Sequence, residues 1–580
     1  MPAKVTCRAI YPGRVEGEAL VCPGTFPLSG VTFDLSNGKI AWPGHPLDGQ
    51  SVKDKILVLS KIEAFAGGDW ALLALCTFYG TGPRAILCSE LPPMLAAGAI
   101  LAKLVTITDL PAVLLNSLRS GDYLRIDTQA ADISVGVSST DAMLGAKHQL
   151  DFRRAERIVI GREAAEILDG RQGEAMKECL ASLVSYGEAL GATRLIPIES
   201  VHVAGAGYNT TGEVAIRFLT KLAAGGLKAR VPATLNPIAV DLERWESVLN
   251  FPRHLYDKQR ELNDAFKALG FLPLYSCKPY WTGHVPPRGT NFVSSEHSVS
   301  IYANSVIGAR TNFESNIVSI IAAFVGLIPY YGLYRPENRL PTVTIRVDAS
   351  IEDPVDWRCL GVLAARRSKG RIPFFRGFRY NPNERLLRDL SSAFGPPWTS
   401  VAMLHVHQVT PESALAYEAA ANCDETVIST SDLREVREEF AVPTAEPIDL
   451  VALGCPQASI EEIQEVVSKL EGRRISDKSR LWIWTDASTR ADAESRGYVR
   501  ALKLAGGEII SDTCGCAACP ISRSGHSIRH LATDSTKTCG FIPRSGITTH
   551  LGSVQQCLEA AVSGYWRRTE AGCPGTSVQD

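Results

Sequence analysis

No apolar stretch is long enough to span a bilayer: the longest runs, such as IVSIIAAFVGLIPYYG, are short and broken by proline and glycine. The opening MPAKVTCRAIYPG has no signal-type apolar core, so a cytoplasmic chain with no membrane contact is expected. Blocks of like charge are missing as well. With 60 basic and 62 acidic residues the formal net charge is -2, and neither sign gathers into a field that would recruit nucleic acid or an anionic surface. There is no GK[ST] loop, and GAG at 205–207 lacks the third glycine of the dinucleotide fingerprint. Internal repeats and low-complexity segments are absent. These absences leave small-molecule chemistry, in a monomer or small homo-oligomer, as the expectation.

What is present fits a soluble-type enzyme, with 45% hydrophobic and 21% charged residues. At 580 residues the chain exceeds what one hydrophobic core supports, so several packed units are expected. The 15 cysteines are thinly spread and odd in number, which argues for free thiols in a reducing compartment rather than a disulfide scaffold. They crowd only near the end, where Cys514, Cys516 and Cys519 are followed by Cys539.

Residues 1–140 read as short strands with glycine turns: VTCRAIYPG, GEALVCPG, KDKILVLS, RAILCSE and AVLLN. Helical stretches DWALLALCTFYGTG and LPPMLAAGAILAKL lie between them. A polar linker is expected at 141–150, and a large α/β domain over 151–580. In that domain IDLVALG, SIEEIQEVVSKLEG, RLWIWTD, ADAESRGYVRALKLAGG and EIISDT read as β-α-β-α-β, the pattern of a parallel sheet. Ligands bind outside the carboxyl ends of such strands. Cys455, just after IDLVALG, and Cys514, just after EIISDT, therefore fall on one sheet edge.

Thiolates converging at strand ends suit a soft metal or an iron-sulfur cluster. Cys277, in the Pro- and aromatic-rich YSCKPYWTG, is a third candidate, although a lone loop cysteine is more often a buried thiol. CxCxxC at 514–519 is a stronger pattern, but spacing does not separate zinc from iron and sulfide.

The segments ESVHVAGAGYNTTGEVAIRFLTKLAAGGLKARVPATLNP, CKPYWTG, YANSVIGARTN, IPYYGLYRPENR, LGCPQAS and SDTC follow one another along the chain, after HPLDGQSVKDKILVL and AILCSE. In this order they resemble the aconitase X family. The resemblance implies an aconitase-like, multi-subdomain α/β domain behind a small β-rich swivelling domain, and a hydro-lyase activity. It also implies an iron-sulfur cluster, of open nuclearity, held by Cys277, Cys455 and Cys514, and a hydroxylated carboxylic acid as substrate, cis-3-hydroxy-L-proline leading. Arg310 is suited to grip a carboxylate in two places, with Asn304, Thr311 and Asn312 hydrogen-bonding beside it. His202, Tyr208 and Thr211 form a second polar loop, and Lys278 adjoins Cys277. In the small domain Ser51, in HPLDGQS, is a catalytic candidate.

One departure bears on the chemistry. Where the family carries a glycine- and serine-rich loop delivering a catalytic serine, this chain reads IEAFAGGDWALLAL, placing Phe65 and Asp69 at the serine positions. Asp69 can serve as the base if burial raises its pKa; alternatively it is an N-cap for the helix that follows. Beside the dehydratase stand two other readings, a relative recruited to a different elimination or isomerisation and a non-enzymatic metal-binding sensor.

Overall fold

The computed structural model describes residues 5–567 except 30, 65–66, 137, 139–145, 153–156, 352, 396, 441–445, 471 and 517–520. Phe65 and Cys519 lie outside the described residues. The chain divides into two units, one of residues 1–238, 257–342 and 400–423, the other of 239–256, 343–399 and 424–580.

The first unit begins with a closed barrel. Its strands are β1 (Val5–Tyr11), β2 (Arg14–Leu28), β3 (Ile56–Ala64), β4 (Ala85–Cys88), β5 (Val105–Thr108), β6 (Tyr123–Asp127), β7 (Asp132–Gly136) and β8 (Ala146–Phe152), in spatial order β1-β8-β7-β6-β2-β3-β4-β5. Alternation sends Ile56 and Val58, Ala85 and Leu87, and Leu124 and Ile126 into one core. Residues 146–150, expected as the end of a linker, instead belong to β8, which pairs with β1 and β7. The rest of that expected linker, 141–145, lies outside the described residues. AVLLN, read as a strand, lies in a short helix, Ala112–Ser117. A five-residue apolar run does not distinguish the two, and Pro111 immediately ahead suits a helix start.

Two helices follow barrel strands and matter below: α1 (Gly68–Leu73) and α2 (Pro93–Leu101). The remainder of this unit is built round three parallel strands, β9 (Ser200–Val203), β10 (Ala233–Leu235) and β11 (Phe292–Ser294), with β9 central. Helix α3 (Tyr208–Ala224) follows β9, and α4 (Asn316–Val325), with every residue buried, packs against β9.

The second unit holds three parallel strands, β12 (Val343–Asp348), β13 (Pro373–Arg376) and β14 (Glu425–Ser429), and a five-stranded sheet. The latter comprises β15 (Leu450–Leu453), β16 (Arg480–Thr485), β17 (Gly507–Ser511), β18 (His530–Thr533) and β19 (Thr548–Leu551), ordered β17-β16-β15-β18-β19 and parallel throughout. Strand β16 shows why it is central: Leu481 and Ile483 enter one apolar cluster and Trp482 and Trp484 the other, so both faces are covered. Among the described residues no helix is long and apolar enough to cross a membrane.

Candidate functional site

In the second unit the loops after β15 and β17 carry the thiols. Gly454 precedes Cys455 with φ at 91°, and a Cβ there would collide with the Trp484 carbonyl, so the turn that presents the thiol requires glycine. After β17, Asp512 takes φ 58°, its N–H donating to the Thr485 carbonyl at 2.8 Å, and Thr513 ties its hydroxyl to the Ser511 carbonyl at 2.6 Å. Cys514 leaves this braced turn at the same carboxyl edge as Cys455. Between them stands Cys516: its sulfur lies 3.9 Å from that of Cys514, and its thiol hydrogen-bonds Cys455. That bond, against the cost of burial, together with the Lys537 charge and the hydroxyls of Ser535 and Thr538, holds Cys455 below the ordinary thiol range. A buried sulfur stabilised as thiolate is what a soft metal or an iron-sulfur cluster requires, so this donor set fits such a group. Among the described residues no three His, Cys, Asp or Glu side chains form a ready metal cage. Cys277 belongs to the first unit, where it is partly buried.

Buried ion pairs stand behind the loops after β15 and β18, Glu462 accepting from the Ser459 N–H of the former at 2.8 Å. Helices α5 (Pro354–Ser368), α6 (Glu384–Ala393) and α7 (Ile460–Leu470) contribute Arg358, Arg388 and Glu462. Arg388, 1% exposed, reaches Asp389 and Glu462 at 2.6 Å each, and Arg358 reaches Asp534 at 2.5 Å. Despite its burial, the arginines keep Glu462 well below the usual carboxylate range. Asp534 directly precedes Ser535, whose hydroxyl, with that of Thr538, meets Cys455.

In the first unit the predicted residues separate into two groups. Arg310 is partly buried, its backbone bridging Asn291, and no described carboxylate pairs with its guanidinium. Its expected companions are not free to join it. Asn304 spends its amide on the carbonyls of Thr311 and Ala402, both at 2.8 Å, and accepts from the Thr311 N–H and from Arg339. Thr311 accepts from the Ser294 N–H and donates to the Asn312 carbonyl. Asn312 is tied to Glu314, the Tyr331 carbonyl and the Leu333 N–H. These three brace the loop that presents Arg310. The Ser51 hydroxyl joins the Asn37 carbonyl and the Lys53 N–H in a turn. Thr211 turns its hydroxyl back to the Gly207 carbonyl at 3.2 Å, and Tyr208 opens α3 with its N–H on Gln259. Lys278 is 2% exposed.

His202 leads to residues that the sequence did not single out. The register of β9 and β10 sets it opposite Thr234. Asn236 donates to Glu296 at 3.0 Å, so its carbonyl oxygen faces His202 Nε2 at 3.2 Å and requires the proton there. His202 Nδ1 then accepts from the Thr234 hydroxyl at 2.8 Å, and Thr234 accepts from His284 Nδ1 at 2.6 Å. Burial lowers the two imidazoles to pKa values of about 3 and about 4, so both are neutral. His284 Nε2 is left as a buried acceptor without a partner. Its place just downstream of CKPYWTG was the available signal.

Asp69 is wholly buried, and it does not cap its own helix, whose N-cap is Gly67. Its carboxylate instead meets the first turn of α4, accepting from the Ile317 N–H at 3.2 Å and Asn316 Nδ2 at 3.4 Å, besides the Trp70 N–H at 3.0 Å. Burial raises its pKa, opposed by these bonds and one from Ser315.

The chain thus carries a barrel ahead of α/β layers, with thiols at the carboxyl edge of a parallel sheet, and comparison with known proteins assigns this arrangement. The aconitase X swivel domain matches residues 4–135, and the first, second and third aconitase X domains match 157–337, 341–438 and 448–563. The chain is 30% identical to cis-3-hydroxy-L-proline dehydratase of Pseudomonas aeruginosa over 99% of its own length and 98% of that protein. It is 33% identical to the phosphomevalonate dehydratase large subunit of Methanothermobacter thermautotrophicus, over 67% of this chain and 94% of that one. The crystal structure of Thermococcus kodakaraensis aconitase X in its holo-form superposes with a TM-score of 0.63 at 32% identity, covering 70% of this chain and all of that one. The chain belongs to the aconitase X family, and these named relatives include dehydratases.

Proposed function

We propose that this protein is an iron-sulfur hydro-lyase that removes water from a small hydroxylated carboxylic acid, with cis-3-hydroxy-L-proline as the leading substrate. The observation that carries this reading is the likeness to a cis-3-hydroxy-L-proline dehydratase along 99% of the chain, barrel included. Arg310, unpaired and partly buried, takes the substrate carboxylate through two N–H donors. The thiols of Cys277, Cys455 and Cys514 hold the cluster, which when bound supplies a Lewis acid for the departing hydroxyl. Asp69 takes the proton α to the carboxylate, a task suited to a carboxyl whose proton affinity burial has raised. The product is a 2,3-unsaturated imino acid that tautomerises to the cyclic imine.

The engagement of both Asp69 oxygens by α4 favours a second reading, a different elimination or isomerisation with another base. Exchange of the substrate α-proton in deuterium oxide separates the two. Asp69→Asn abolishes both exchange and turnover under the first reading; retained exchange in that variant removes Asp69 as base. For the cofactor, anaerobic purification with iron and sulfide assay gives both elements in the native protein, and Ser in place of any of the three cysteines bleaches it. Zinc, or no metal, would refute the cluster.

A further inference from the structure

Around Gly205, in the loop between β9 and α3, two buried polar atoms lack partners: Trp70 Nε1, on a side chain 1% exposed, and Asn316 Oδ1, on one 3% exposed. The point where a Cβ would stand on Gly205 is 3.2 Å from Trp70 Nε1 and 3.1 Å from Asn316 Cγ, so only glycine leaves these polar ends clear. Asp69 fixes what Asn316 presents. Asn316 Nδ2 donates to the Asp69 carboxylate at 3.4 Å, and its oxygen is the atom left over. One donor and one acceptor therefore stand on two side chains that both border Gly205, with Asn316 in the first turn of a ten-residue helix. Buried polar groups without partners are costly, and such pairs are ordinarily completed by a ligand or an ordered water.

We propose that Trp70 Nε1 and Asn316 Oδ1 form a hydroxyl-binding subsite, with Asp69 as the positioning residue. An O–H group completes the pair, accepting from the indole while donating to the amide oxygen. A carboxylate satisfies the indole alone and an ammonium the amide alone. The O–H comes either from the substrate or from a bound water, and the substrate case rests on the proposed function above. Trp70 comes from the segment that departs from the family's serine-bearing sequence, and Asn316 from the start of α4.

The test uses the full-length holoenzyme and two probes, cis-3-hydroxy-L-proline and L-proline, which differ by the hydroxyl. Ultraviolet resonance Raman difference spectra, native minus Trp70→Phe, report whether the Trp70 indole N–H is hydrogen-bonded. If the hydroxyl is the substrate's, the N–H becomes bonded with cis-3-hydroxy-L-proline and not with L-proline. Trp70→Phe then lowers the affinity ratio of the two probes about fivefold, the worth of one neutral hydrogen bond. If it is water, the N–H is bonded in the ligand-free protein and neither probe changes it. An unbonded N–H in all three states overturns the subsite. Where Trp70→Phe fails to fold, Gly205→Ala fills the gap with a methyl group and gives the same loss. If neither probe binds, the proposed substrate class fails and the ligand-free spectrum decides the subsite alone: a bonded N–H supports it and an unbonded one overturns it.

Discussion

Among the single side chains, Asp69 carries the sharpest consequence for pH. Burial raises its pKa, so the fold prefers the protonated carboxyl to the carboxylate. Its contribution to stability is fully present below the ordinary carboxylate value of about 3.9 and is lost as pH rises through the raised value. The melting temperature of the native protein relative to Asp69→Asn is therefore expected to fall as pH climbs from about 4 toward 8; a constant difference would contradict the shift. For Arg310, substitution by Lys keeps the charge but removes the planar fork. A loss of roughly 10- to 100-fold in kcat/KM with an unchanged melting temperature is expected, since a charged hydrogen bond is worth about 1.5–3 kcal/mol. The sequence showed Arg310, His202 and Asp69 as chemistry-bearing residues. It did not show that Asn304 and Asn312 are saturated, because their partners Arg339, Ala402, Tyr331 and Leu333 are brought up only by the folded chain.

At the scale of elements, the buried ion pairs that join α5, α6 and α7 stand behind the Cys455 loop. Replacing Arg388 with Met leaves Asp389 and Glu462 buried without their nearest cation, and breaking such a pair costs about 3–5 kcal/mol. Chemical denaturation of the Arg388→Met variant is expected to show that loss in the transition of the second unit, and an unchanged midpoint would show the pairs to be dispensable. Strand and helix order along IDLVALG to EIISDT could be read from periodicity, since apolar strands and amphipathic helices alternate there with glycine at the helix ends. Strands β18 and β19 could not: HLAT and TTHL are four residues each and half polar, and only the pairing of β18 with β15 and of β19 with β18 makes them strands.

For the whole molecule, the order of the motifs conveyed the family before any coordinate did, because several long segments in one order are a stronger signal than any single site. Substrate identity was less legible, since Phe65 and Asp69 stand where the family's serines are expected and so removed the residues that would have made the reading direct. The central claim is the dehydration itself. Anaerobically purified protein incubated with cis-3-hydroxy-L-proline, with the products followed by mass spectrometry and ketimine trapping, tests it most directly. The account predicts conversion to the cyclic imine with loss of one water per molecule consumed. Substrate recovered with its hydroxyl in place, from protein shown to hold its iron and sulfide, would contradict it.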